Sequence, residues 1–137
     1  MECKLLDKED IELMEQFVDD ENTKYDKEKL MGFLNENNSY GFIVKNENKI
    51  VGFAYGYVLL RPDGSQDFYL HAIDIISEFQ GKGYGTKLMN FIKKYIKEIK
   101  CRKMFLITNK SNISACKCYE KAGGVNNSDD EIVYIYK

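Results

Sequence analysis

The sequence predicts an α+β fold, with a mixed, strongly twisted sheet flanked by helices on both faces. Three observations carry this. Tyr40 to Lys45, Lys49 to Leu60 and Phe68 to Ile76 are extended runs rich in aromatic and β-branched residues, which reads as an antiparallel meander. After Gly85 the apolar period becomes helical, with Leu88, Phe91, Ile92, Tyr95, Ile96 and Ile99 on one stripe. Lys103 to Thr108 then suits a buried strand, so the strand, helix, strand order from Ile76 to Phe105 implies a right-handed parallel crossover.

In chain order, Cys3 to Leu6 is a short first strand. Asp7, with Asp10 three residues on, offers a helix start, and Ile11, Met14, Phe17 and Val18 recur at helical spacing. A second helix runs from about Asp26 to Asn37 with Leu30, Phe33 and Leu34 on one side, and the polar cluster Asn35 to Ser39 stops it. Asn46-Glu-Asn48 and Pro62-Asp-Gly-Ser65 supply the turns of the meander. Lys87, Lys93, Lys94, Lys97 and Lys100 fall mainly off the apolar stripe of the long helix and read as its solvated face. A helix from about Asn112 to Ala122, ended by Gly123-Gly124, and a last strand from Ile132 to Tyr136 complete the chain.

The 137 residues suit a single domain, 1–137, with one sizeable core. A hydrophobic fraction of 44%, with eight Phe and ten Tyr, argues against disorder. A net charge of -2, with bases scattered among acids, gives no general attraction to nucleic acid. The start lacks the basic head and apolar run of a secretory signal, and no stretch is long enough to cross a bilayer, so no membrane role is expected and the cytoplasm is the expected compartment. Cys3, Cys101, Cys116 and Cys118 lack a Cys-x-x-Cys spacing and have one histidine to assist them, so no metal is expected. On a helix Cys116 and Cys118 would point apart, as buried free thiols.

The chemistry concentrates in Gln80-Gly81-Lys82-Gly83-Tyr84-Gly85, where a strand gives way to the amphipathic helix. Three glycines in five residues let the chain turn tightly and let a ligand approach the backbone. The helix's first turn adds unpaired amide donors and the positive end of its dipole, a natural seat for a phosphate. The Walker phosphate loop is excluded because its Gly-x-x-x-x-Gly-Lys followed by Ser or Thr is not present, and the dinucleotide loop because the glycines alternate and follow an antiparallel meander.

Gln80-x-x-Gly83-x-Gly85, preceded by Ile73-Asp-Ile75 and followed by Asn112, Ala115, Tyr119, Lys121 and Gly123, resembles the two ordered motifs of the GCN5-related N-acetyltransferase (GNAT) superfamily. The resemblance spans roughly Tyr69 to Gly124 and departs at Gly124, where an aromatic residue usually stands, and at the short C-terminal end. It implies acetyl-CoA as cosubstrate. Main-chain amides from Gly81 to Thr86 would hold the pyrophosphate, and the backbone from Ile73 to Ile75 would pair with the pantetheine arm and polarise the thioester carbonyl. One such donor is worth about 3 kcal/mol of barrier. Tyr119 would be the acid for the leaving thiolate, and it shares a helix face with Asn112 and Ala115. Asn112 would also serve as the helix cap.

A protonated alkyl amine, with a pKa of about 10, cannot attack until it loses a proton. His71, the one histidine, is the candidate base. Strand alternation places it with Ile73 and Ile75, and its rival Asp74 on the opposite face unless a bulge intervenes. The implied reaction is direct attack of a primary amine on the thioester, without a covalent enzyme intermediate. For the acceptor, the short C-terminus and the Tyr57-Val-Leu run weakly resemble small aminoglycoside 3-N-acetyltransferases, and Asp129, Asp130 and Glu131 would suit a polycation. Peptide, polyamine and amino-acid acceptors stay open, as does a homodimer. The rivals are a non-catalytic CoA-binding sensor on the same fold and a structural domain whose glycines only make a turn.

Overall fold

A computed structural model describes residues 1–17, 25–127 and 129–137. Five strands lie side by side in sequence order: β1 (Glu2–Leu5), β2 (Ser39–Asn46), β3 (Lys49–Leu60), β4 (Gln66–Ile75) and β5 (Met104–Phe105). The first four pair antiparallel and β5 joins β4 in parallel, which is the meander and crossover the sequence predicts. At the β2–β3 turn Glu47 and Asn48 adopt left-handed φ values of 51° and 65°. Asn tolerates that region because its short side chain bonds locally.

Between β1 and β2 the expected first helix is broken into a 3-10 turn (Lys8–Asp10), α1 (Ile11–Met14) and a second 3-10 turn (Glu15–Phe17). Val18 lies outside the described residues. The Asp7–Asp10 start is a reciprocal capping box: Asp7 accepts the Glu9 N–H, and Asp10 accepts the Asp7 N–H at 3.1 Å. Asp10, only 1% exposed, also takes Lys4 at 3.1 Å and Lys45 at 2.9 Å, so one carboxylate ties β1, β2 and the helical start together. α2 (Lys27–Asn35) is capped by Asp26, which accepts the Glu28 and Lys29 N–H groups.

Helices cover both faces, as expected. On one, Phe42, Val44, Val51, Phe68 and Leu70 meet Leu88, Met89 and Ile92 of α3 (Tyr84–Glu98), with α4 (Ile113–Lys121) beside it. On the other, Ile43, Ile50 and Phe53 meet Leu6, Ile11, Met14, Phe17 and Leu30. Each fully buried side chain of this kind contributes about 1.5–3 kcal/mol, so it is burial on both faces that holds the sheet.

The C-terminal third departs from the sequence reading. The strand expected over Lys103 to Thr108 pairs only at Met104 and Phe105, and Phe105 is exposed rather than buried. Its start is clamped: Arg102 N–H reaches the Gln66 carbonyl at 2.7 Å, Phe68 N–H reaches the Lys103 carbonyl at 2.9 Å, and the Arg102 guanidinium forks onto Asp67 at 3.0 and 3.1 Å. Past Phe105 no second neighbour among the described residues holds the chain extended, and the β4–β5 ladder ends. Ile132 to Tyr136, expected as a last strand, forms none, because a strand exists only through a ladder and this segment has no ladder partner among the described residues. The cysteines are free thiols, half-buried rather than buried. Cys116 Sγ faces the Asn109 carbonyl and Cys118 Sγ faces Thr86 Oγ1, so the two do point apart.

Candidate active site at the junction of β4 and α3

β4 ends at Ile75, and a 3-10 turn (Ser77–Phe79) leads into Gln80, whose side-chain amide donates to the Ile75 carbonyl at 2.9 Å. The signature glutamine thus pins the loop back onto the strand it leaves. Gly81 and Gly83 then take φ values of 74° and 90°, a region nearly closed to residues with a Cβ, and the space a Cβ would fill is open at both. Gly83 is the N-cap of α3. The Lys87 N–H is the donor to the Gly83 carbonyl, at 3.0 Å, so the N–H groups of Tyr84, Gly85 and Thr86 precede the helical ladder and lack intrahelical acceptors. A 15-residue helix adds its dipole to those donors.

Side chains around this turn are held by packing. Tyr84 is buried edge-on against Phe79 with ring centroids 5.5 Å apart, so its contribution to a ligand would be its main chain. Lys82 is exposed, its ammonium 5.6 Å from the Phe79 ring. A Cβ on Gly85 would stand 3.0 Å from Cys118 Sγ, so glycine there lets α4 approach the start of α3.

α4 starts at Asn112, whose side chain accepts the Ala115 N–H at 3.3 Å, so its cap role is realised. Tyr119 is half-buried further along this helix, and burial first, then the neighbouring Cys118 and Cys116, raises its hydroxyl above the usual tyrosine value. The helix closes with Gly123 N–H on Glu120 and Gly124 N–H on Tyr119, and Lys93 of α3 caps the Ala122 carbonyl at 2.6 Å. A Cβ at Gly124 would stand 2.9 Å from the Tyr119 carbonyl oxygen, which accounts for glycine at the position where an aromatic residue is usual.

His71 lies elsewhere than strand alternation predicts. The β3–β4 register shifts between Tyr55 and Gly56, which oppose Ala72 and Leu70, so His71 is the extra residue of a β-bulge. The bulge resets the pleat. Ile73 and Ile75 pack toward the α3 core, while His71 is exposed on the opposite face with Asp74, which pairs with Phe53. There His71 joins a continuous band of rings: Tyr55 at 5.2 Å, Tyr57 at 6.1 Å and Tyr69 at 5.4 Å, with Phe105 stacked on Tyr69 at 5.1 Å. This band escapes a reading of motifs, although the alternation of Phe53, Tyr55 and Tyr57 is its trace in the sequence.

Gln80 to Thr86, the end of β4 and the Cys118 turn of α4 therefore meet in one region, since Gln80 bonds the Ile75 carbonyl and a Cβ on Gly85 would touch both Cys118 and Ile75, while β4 pairs with β5 only at Phe68 and Tyr69. Its donors fit a diphosphate: two left-handed glycines with no side chain in the way and a helix start offering amides. Among the described residues no three His, Cys, Asp or Glu side chains gather as a metal site would require.

Residues 7–124 match the model of the acetyltransferase (GNAT) family. The chain is 32% identical over 84 residues to the spermine/spermidine N(1)-acetyltransferase of Bacillus subtilis (strain 168), a match that covers 56% of this chain and 53% of that relative. The chain thus spans about half the length of that curated relative. Among solved structures it resembles an aminoglycoside acetyltransferase, meta-AAC0020 from an uncultured soil metagenomic sample in complex with trehalose, at TM-score 0.83 and 25% identity, covering 99% of this chain and 94% of that one. The ribosomal-protein-alanine N-acetyltransferase of Brucella melitensis biovar Abortus 2308 shares the fold at TM-score 0.76 and 17% identity, covering 98% and 100%.

Proposed function

We propose, on the premise that this chain belongs to the GNAT acetyltransferase family, that it moves the acetyl group of acetyl-CoA to a primary amine on a small molecule. The observation that carries this is the β4–α3 junction, where Gly81 and Gly83 open the backbone and the Tyr84, Gly85 and Thr86 amides face no helical acceptor. Main-chain groups of Gly81 to Thr86 would hold the diphosphate, with Gln80 and Lys82 at the rim of the turn. The Ile73 to Ile75 backbone, Asn112 and Ala115 would line the path of the pantetheine arm. The cosubstrate supplies the acetyl group as an activated thioester. Tyr119, kept protonated by burial, would serve as the donor to the departing sulfur.

His71 takes the incoming amine's proton in this reading, either directly or through water. Its support is the bulge, which turns the imidazole onto the aromatic face beside Tyr55, Tyr57 and Tyr69. Rings of this kind attract a cationic amine through their π-faces, worth about 0.5–2 kcal/mol each. That favours polyamine or amino-sugar acceptors, the classes named in two of the similar proteins. Asp129, Asp130 and Glu131 would add attraction for a polycation. Four free thiols fit a reducing compartment, which supports a cytoplasmic location.

A screen of acceptor amines read by thiol release tests the activity: release with polyamines or amino sugars is expected. Tight acetyl-CoA binding with no release across the panel would instead identify a CoA-binding sensor. Within an active pair, Tyr119→Phe should lower turnover with acetyl-CoA affinity kept. His71→Ala should lower it mainly at neutral and lower pH, where more of the amine is protonated, and an unchanged pH profile removes His71 from the mechanism.

A further inference from the structure

α4 carries Tyr119, yet no residue from Ile113 to Lys121 is fully buried. Cys118 and Tyr119 lie against the edge of the core, and burial is reached only at the C-cap, Ala122, which is 4% exposed. The sheet ladder that leads toward this helix ends at Phe105. So short a helix is marginal in water by itself, and what ties it to the rest of the molecule sets its position.

α4 comes close to α3 at Cys118 and at Ala122. A Cβ on Gly85 would stand 3.0 Å from Cys118 Sγ, and the Lys93 ammonium donates to the Ala122 carbonyl at 2.6 Å. The sequence groups Lys93 with Lys94 and Lys97 on a solvated face, but its head group has this separate task. The end of α4 is a Schellman turn: Gly123 N–H reaches the Glu120 carbonyl at 2.9 Å, and Gly124 N–H reaches the Tyr119 carbonyl at 2.8 Å. The Ala122 carbonyl lies just past those bonds, at the negative end of the helix dipole, where a cation is favoured. Gly123 sits at φ 93°, and its missing Cβ would stand 3.3 Å from Lys93 Nζ. Glycine there allows the turn and makes room for the lysine.

We propose that Lys93 is a positioning residue for acetyl transfer: by fixing the end of α4 it holds the Tyr119 hydroxyl within reach of the departing sulfur. This rests on the reading of Tyr119 as the acid, which gives its proton to the coenzyme A thiolate as the C–S bond breaks and regains one from solvent. The path from Lys93 to Tyr119 is short. The ammonium holds Ala122, and the two glycines that follow close on Glu120 and Tyr119. Without the ammonium the last turn frays, and Tyr119 stands at its start. A misplacement of about 1 Å costs up to ~10²-fold in rate.

Lys93→Met keeps the side chain's length and removes its donor. In the thiol-release assay its kcat should fall about tenfold, with KM for acetyl-CoA unchanged, because Gly81 to Thr86 are untouched. Lys94→Met removes the same charge from the adjacent exposed position and should leave both constants as in wild type. Beside Tyr119→Phe, Lys93→Met should lower kcat no further, since the group it positions is gone. Hydrogen exchange gives a reading that does not depend on turnover: the Ala122, Gly123 and Gly124 amides should lose protection in Lys93→Met while those of α3 and the sheet keep it. Lys93→Gln retains a neutral donor, should show the same pattern more weakly, and replaces the methionine variant if that one melts early. Wild-type kcat in Lys93→Met, an equal loss in Lys94→Met, a loss that persists in full beside Tyr119→Phe, or an unchanged last turn each overturns the proposal. Failure of the acid reading has its own signature, a Tyr119→Phe chain that turns over at the wild-type rate, and it removes the positioning role with it.

Discussion

β4 is bordered by two regions of opposite character. Its C-terminal end runs into the glycine turn and α3, where the structure follows the sequence residue by residue. Its outer edge meets β5; for β5 and for the tail the sequence predicts two good strands, and the structure forms a two-residue ladder and an exposed segment. The difference lies in where each conformation is decided. A left-handed glycine, a helix start and a Gln side chain reaching back five residues are settled by near neighbours in the chain. A strand is settled by its partner, and the composition of Ile132 to Tyr136 says only that it wants one.

The largest expected effect breaks the local side of this comparison. Gly83→Val places a β-branched side chain at φ 90° and fills space that is now open in front of the amides. Loss of the left-handed angle should destabilise the fold by about 1–2 kcal/mol, and acetyl-CoA affinity should fall at least about a hundredfold, or roughly 2.7 kcal/mol. Calorimetry and thermal melting read the two separately. A lower melting temperature with affinity intact would make the turn purely structural.

Asp10 sharpens the comparison, because it belongs to both sides. Its capping bond to the Asp7 N–H is legible three residues away, whereas its burial between Lys4 and Lys45 is not. Burial alone would raise its carboxyl, but Lys45, the Asp7 N–H and Lys4 together hold it below the usual carboxylate value. Removing it as Asp10→Ala should cost roughly 2–3 kcal/mol at neutral pH, since two ammonium groups lose a buried partner but remain near enough to water to be hydrated. A depressed folded value means that the contribution is complete above the unfolded carboxylate pKa of about 3.9 and is lost as pH falls through the lower folded value. Urea unfolding should therefore separate wild type from variant at neutral pH and bring them together in acid. A gap that persists in acid would assign the loss to packing.

The same distinction explains what was legible. The meander, the crossover, the Gly123-Gly124 helix end and the Asp7, Asp26 and Asn112 helix starts follow from turn residues, period and caps, all local signals. The glycine turn before α3 was legible for the same reason. The face occupied by His71 was not, because one extra residue at the bulge inverts the alternation from there to Ile75, and the bulge is a property of the β3–β4 pair rather than of either strand. The ring band around His71 was missed in the same way, since it is assembled from β3, β4 and β5 together.

Asn112 gives the smallest effect, and the one that decides whether a local signal is also a functional one. Its side chain accepts the Ala115 N–H, and Asn112→Ala should cost about 1 kcal/mol of stability, as the loss of an N-cap does elsewhere. Asn112→Asp keeps an acceptor in place and should restore that stability. If the start of α4 borders the cofactor, the new carboxylate stands beside an anionic ligand, and a charge pair a few ångströms apart in water is worth about 1 kcal/mol, or roughly fivefold in affinity. The expected result is a chain with wild-type melting that binds acetyl-CoA several-fold more weakly, with the deficit shrinking as salt is added. An Asn112→Asp chain that binds as tightly as wild type at low salt would leave Asn112 a cap alone and move the cofactor away from the start of α4, onto the junction of β4 and α3.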